Sequence, residues 1–160
     1  MVKQFQQADS RELIVLLDLF PSSSLNQQQR DSHQKQEELA IEFVATLASH
    51  IASSNFGVIT VAIADAEPTI AGRIQSRSQC SGLLDRLAIA HCGDEDKIEV
   101  ALSLLEREFR RIENLIVVST RPQVAFQSQD NNHAAIIFWR SMTWLDASAG
   151  DLTKYFAPAE

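Results

Sequence analysis

Five consecutive aliphatics, Leu13 to Leu17, run straight into Asp18 and then into the polar stretch Ser22-Ser-Ser24. An unbroken run of this length suits a strand covered on both faces, as in a parallel sheet, better than the alternating pattern of a half-exposed strand. In open α/β sheets the loops at the carboxyl ends of the strands form the functional edge. The run therefore predicts both a fold class and a place for function, with Asp18 at that edge.

The rest of the chain agrees with this class. After the first strand (about Glu12 to Leu19), the tract Ser22 to Lys35 is rich in glutamine and serine and reads as a solvated connection. From Glu37 onward Leu39, Phe43, Val44, Leu47, Ala48 and Ile51 recur at three- and four-residue steps, the apolar face of a long helix ending near Ser53-Ser-Asn55. Val58 to Ala64 is rich in β-branched residues and reads as a second strand. Asp65-Ala-Glu-Pro68 supplies a turn, and Thr69 to Ile74 returns as an antiparallel edge strand, a setting that suits Gly72 and Arg73.

Ser78 is the expected cap of a helix carrying Leu83, Leu84, Leu87 and Ala88, with Cys92-Gly93 at its end. A further helix follows on Ile98, Ala101, Leu102, Leu105, Phe109 and Ile112, with Asp94, Glu95 and Asp96 suited to its positive amino end. Leu115 to Thr120, closed by Arg121-Pro122, repeats the pattern of a buried strand meeting a loop. Ala134 to Trp139 is assigned a short helix, Ser141 to Asp146 a final strand, and Gly150 to Phe156 a last helical turn or two. Phe138, Trp139 and Trp144 read as packing of these terminal elements against the core. This order of elements calls for a largely parallel sheet with helices on both faces.

Composition narrows the function classes. The chain has 160 residues, 45% of them hydrophobic, which fits one domain. Its net charge is -7, and its arginines are dispersed among acids, so nucleic acid and anionic membrane surfaces are poor partners. No apolar stretch is long enough for a membrane span and the first residues lack a signal-peptide core, so the expectation is a soluble, cytoplasmic domain. Two cysteines without CxxC spacing and four scattered histidines predict neither disulfides nor a soft-metal site, which would need ligands converging from distant segments.

Phosphate loops of the Gly-x-Gly-x-x-Gly and Gly-x-x-x-x-Gly-Lys types are absent, as is a Gly-x-Ser-x-Gly elbow. A haloacid-dehalogenase-like hydrolase wants a second Asp two residues after the first, where Phe20 stands, and a receiver domain wants a lysine at the end of a later strand. Arg121 directly follows the fourth strand and is placed to pair with Asp18 across the loop edge. A guanidinium there would stand where a cation otherwise sits.

Several short pieces carry a family resemblance. Gln4 to Leu13, Leu16-Leu-Asp-Leu-Phe20, Val118-Ser-Thr-Arg-Pro122, Leu145-Asp-Ala-Ser148 and Tyr155-Phe156 resemble the carboxyl-terminal, von Willebrand factor A-like region of the bacterial family called domain of unknown function 58. The likeness runs over nearly the whole chain. It implies a three-layer α/β/α, Rossmann-like domain with a six-stranded, mainly parallel sheet whose third strand is antiparallel at one edge. It also implies that the chain is an excised part of a larger, membrane-tethered protein, because the family's membrane helices and linker are missing. Members often accompany MoxR-type AAA ATPases, which implies a protein partner of that kind and a role in complex assembly.

A-type domains usually hold Mg²⁺ or Mn²⁺ in an adhesion site built from an Asp-x-Ser-x-Ser loop, a threonine and a second aspartate. Here Asp18 and Ser22 match the first and last of these loop positions, but Phe20 replaces the middle serine. Gly93-Asp-Glu-Asp96 stands where the threonine loop is expected, and Ser119-Thr120 where Thr-Asp is expected. The expectation is a degenerate adhesion site on Asp18, Ser22, Asp94, Glu95, Thr120 and Arg121, with Asp18, Ser22 and Thr120 as the ligands of any cation. The reading is thus a non-catalytic interaction module without a cofactor. Two alternatives stay open: a divalent-cation-dependent hydrolase or phosphoacceptor centred on Asp18, and a purely structural domain.

Overall fold

A computed structural model describes residues 11–20, 26–54, 57–110, 112, 115–123 and 142–154. Five strands, β1 (Arg11–Asp18), β2 (Gly57–Ala64), β3 (Thr69–Ile74), β4 (Leu115–Ser119) and β5 (Met142–Asp146), form one sheet in the order β3-β2-β1-β4-β5. β1 is parallel to both β2 and β4, β4 is parallel to β5, and β3 alone runs antiparallel, at the edge. The sheet thus has five strands among the described residues where six were expected. The five coincide with the strand runs read from the sequence, and Ala134 to Trp139, assigned a short helix, lies outside the described residues.

Alternation along β1 explains why its run has no polar break. Val15 and Leu17 pack with Leu19 beneath helices α1 (Gln27–Ser54) and α2 (Arg77–Ala88). Ile14 and Leu16 face the opposite way, beneath α3 (Ile98–Glu108). The result is three layers, and a strand wetted on neither face gains from an aliphatic at every position. Ile98, Ala101, Leu102 and Leu105 are the buried side of α3, as their spacing predicts, while Phe109 and Ile112 enter the same core beyond the helix end.

Three local expectations are corrected. The polar tract is not a connection throughout, because α1 begins at Gln27. Its start is fixed by a reciprocal capping box: Asn26 Oδ1 accepts from Gln29 N at 2.9 Å, and Gln29 Oε1 accepts from Asn26 N at 3.0 Å. The wholly buried line of α1 is Ala40, Val44, Ala48 and Ala52, with Leu39, Phe43, Leu47 and Ile51 flanking it. Small residues at four-residue steps let the helix approach the sheet while the larger ones straddle the contact. The cap of α2 is Ser76, whose hydroxyl accepts from Gln79 N at 3.4 Å, and the helix stops at Ala88, ahead of Cys92-Gly93.

Gly93 instead marks a close approach of two loops. A Cβ there would lie 2.9 Å from Ala66 Cα, and nearby Ala66 N donates to His91 O at 3.1 Å. The segment entering α3 is thereby held against the end of β2. β3 carries the irregularity expected of an edge. Its register against β2 shifts between Ile59 and Val61, Arg73 takes a positive φ of 50°, and the buried Thr60 hydroxyl accepts the Arg73 N–H at 3.0 Å.

The topology positions the site. From β1 the chain moves outward to β2 and β3 and then returns past β1 to β4, so the winding reverses between β1 and β4. Asp18 and Ser119 end these two strands and face each other in register. A reversal of this kind leaves a crevice at the carboxyl ends of the strands.

Candidate functional site

The crevice is filled by an arginine. Arg121 Nε donates to Asp18 Oδ2 at 2.8 Å, and its Nη1 and Nη2 donate to Asp96 Oδ2 and Oδ1 at 2.7 and 3.1 Å. Ser119 Oγ donates to the same Asp18 oxygen at 2.7 Å while accepting from Arg121 N at 3.0 Å. The Phe20 ring lies 4.4 Å from the guanidinium carbon, in the range of a cation–π contact. Asp18 and Arg121 are only 1% and 3% exposed, so their pair is closed to water, while the Asp96 side chain, 29% exposed, forms the outer edge of the cluster.

Backbone contacts lock the surrounding loops. Thr120 N donates to Asp18 O at 3.2 Å, and Thr120 Oγ1 accepts from Phe20 N at 3.1 Å. Trp144 Nε1 donates to Arg121 O at 2.9 Å, tying β5 to the same corner. Asp96 serves two structures at once, since its Oδ1 also accepts from Ile98 N at 3.1 Å at the start of α3. The chain segments after β1, before α3 and after β4 therefore meet on one guanidinium.

Charge burial sets the electrostatics. Loss of hydration pushes the Asp18 carboxyl above its ordinary range; Arg121 and the Ser119 hydroxyl pull it down, and Asp96 adds to the rise. The same burial works against the charge on Arg121, but Asp18 and Asp96 more than offset it and hold the guanidinium above its usual value. Arg121 thus keeps its proton, while burial favours the neutral form of Asp18.

The expected residues divide into three groups. Asp18, Thr120 and Arg121 come together, with Thr120 as a loop tether whose Oγ1 accepts a backbone N–H. Ser22 lies outside the described residues. Asp94 and Glu95 are exposed and do not enter the crevice; Glu95 pairs with Lys97 at 2.6 Å, which holds its carboxyl below the usual range. The acid that does reach in is Asp96. Its signature, an acid before a helix, is the same whether or not it spans a crevice, whereas Ser119 is recoverable from strand pairing with Asp18.

No protein-family model matches the chain, and no curated protein matches it.

Proposed function

We propose that this chain is a non-catalytic protein–protein interaction domain of A-type architecture, in which the guanidinium of Arg121 has taken the place of the adhesion-site cation. The observation that carries the reading is the buried bridge from Asp18 through Arg121 to Asp96. A mainly parallel sheet with its third strand antiparallel at one edge supports the architectural part. The Asp18 carboxylate already accepts from Ser119 and Arg121, so the residues present do not fit Mg²⁺ or Mn²⁺. A divalent cation here would stand against a fixed positive charge.

The same contacts weigh against Asp18 as a nucleophile or phosphoacceptor. Such a group must reach its substrate, and this one is buried with an oxygen shared between two donors. The buried cluster acts as a frame that fixes the loops, and the exposed acids Asp94 and Glu95 form the contact rim. A protein partner follows, with a MoxR-type AAA ATPase as the first candidate and a cytoplasmic setting for the encounter. Among the described residues no helix is long and apolar enough to cross a membrane.

The test is the affinity of the chain for a purified ATPase of that type, compared with the variant Asp94→Lys/Glu95→Lys. The expected result is a loss of about tenfold, or 1.4 kcal/mol, with an unchanged melting temperature. Equal affinities, or no binding by the wild type, would remove this partner and favour a structural role.

A further inference from the structure

A second cluster is linked to the first through Phe20. His33 and Glu37, one turn apart on α1, meet Cys92 from the loop between α2 and α3, and one ligand atom from each lies within 4.8 Å of the others. We propose that His33, Glu37 and Cys92 form a site for Zn²⁺ or a similar borderline divalent cation.

The donor set suits that ion. Imidazole, carboxylate and thiolate are the ligands zinc takes, and three protein ligands with one further position is the arrangement of its open sites. A neutral imidazole with two anionic ligands supplies two negative charges against the two positive charges of the metal. Cys92 binds as thiolate and releases its proton to solvent as the metal–sulfur bond forms. Tetrahedral bonds of about 2.0–2.3 Å place ligand atoms roughly 3.3–3.8 Å apart, so closing this cluster takes a movement of at most about 1.5 Å.

Two hydrogen bonds already orient the ligands. His33 Nε2 lies 3.0 Å from Phe20 O, and a carbonyl only accepts, so Nε2 carries the proton and Nδ1 keeps the lone pair for a metal. An imidazole that donates its other N–H to a backbone carbonyl is the usual outer support of a metal-bound histidine. Glu37 Oε1 accepts from Cys92 N at 2.9 Å, which joins helix and loop before any ion arrives. His33 is 9% exposed although it sits on the polar first half of α1, an unusual burial for a helix position surrounded by glutamines.

The cluster opens on a cleft of about 630 Å³ whose walls include Arg30, Glu42 and His91. The cleft has room for water as a fourth ligand. The two sites also share parts. Phe20 holds His33 through its carbonyl and Arg121 through its ring. Cys92 lies on the same loop as Asp96, so an ion on Cys92 would stiffen the segment that carries the second acid of the arginine site.

The test uses the whole chain, freed of metal by a chelator and then titrated with Zn²⁺ by calorimetry and with Co²⁺ by absorption. One ion per chain is expected, with a thiolate-to-cobalt charge-transfer band. Cys92→Ser should abolish the band and weaken Zn²⁺ by at least about 100-fold, beyond the range seen for outer supports alone. Glu37→Gln, which keeps an acceptor for Cys92 N and so guards against a folding artefact, should weaken Zn²⁺ by at least about tenfold with unchanged circular dichroism. Absence of the band in the wild type, or equal Zn²⁺ affinity in wild type and folded Glu37→Gln, would overturn the proposal.

Discussion

Two aspartates at the ends of neighbouring strands show how position on a sheet separates a structural pair from a site. Asp18 ends β1 and Asp65 follows β2; they are 1% and 2% exposed, and each has an arginine at 2.8 Å. Around Asp65 the bonding stays close to one turn. Its Oδ1 accepts from Glu67 N at 3.1 Å, and Arg86 adds bonds to Glu67 O and Thr69 Oγ1. The Arg86 side chain remains 20% exposed, so water reaches that pair.

Around Asp18 the partners come from far along the chain, at a separation of 103 residues for Arg121, and the arginine side chain is 3% exposed. One pair fastens a hairpin turn to α2, while the other fastens three loops to each other at the point where the sheet winding reverses. A buried charge without water depends wholly on its partner, and one near water does not.

The largest expected effect follows from that contrast. Arg121→Ala strands Asp18 in a dry site and should lower unfolding stability by about 3–5 kcal/mol in urea denaturation. Arg86→Ala leaves Asp65 with Glu67 N and nearby water and should cost less, about 1–3 kcal/mol. If the two losses were equal, or reversed, burial would not distinguish the pairs. Asp96→Asn keeps an acceptor for Ile98 N while removing a charge from a side chain that is 29% exposed, and about 1 kcal/mol is expected.

A pH series sharpens the same point. Because burial raises the Asp18 carboxyl above its unfolded value, the folded protein binds its proton more tightly than the unfolded chain does. The group's stabilising contribution is then complete below the unfolded pKa and is lost as pH rises through the folded one. The stability of Asp18→Asn relative to wild type should therefore improve as pH rises from the ordinary carboxylate range toward neutrality. A trend in the other direction would mean that Arg121 and Ser119 outweigh desolvation.

β1, β2 and β4 were legible because each is an apolar run bounded by turn residues, and β1 announced its two-sided burial by having no polar break. The first turns of α1 were not, because they expose nearly every side chain and rest on local polar bonds. Asn26 and Gln29 cap each other, and Gln34 Nε2 donates to Glu38 Oε1 at 3.2 Å. Such bonds leave no apolar period to read.

Within the site, Asp18 and Arg121 could be placed because each stands at the carboxyl end of an apolar run. Asp96 could be placed only as one of three acids in its loop, and the cluster of His33, Glu37 and Cys92 could not be placed at all. Their meeting depends on where the loop before α3 lies, and that is set by Gly93 passing close to Ala66.

The most direct test of the central claim, that an arginine stands in place of the adhesion cation, is the thermal midpoint of the wild type and of Asp18→Asn with and without millimolar Mg²⁺. An ion present at 100 times its dissociation constant would add about 2.7 kcal/mol, a shift of several degrees for a chain of this size. The account predicts the same midpoint with and without Mg²⁺. A rise of several degrees in the wild type that disappears in Asp18→Asn would contradict it.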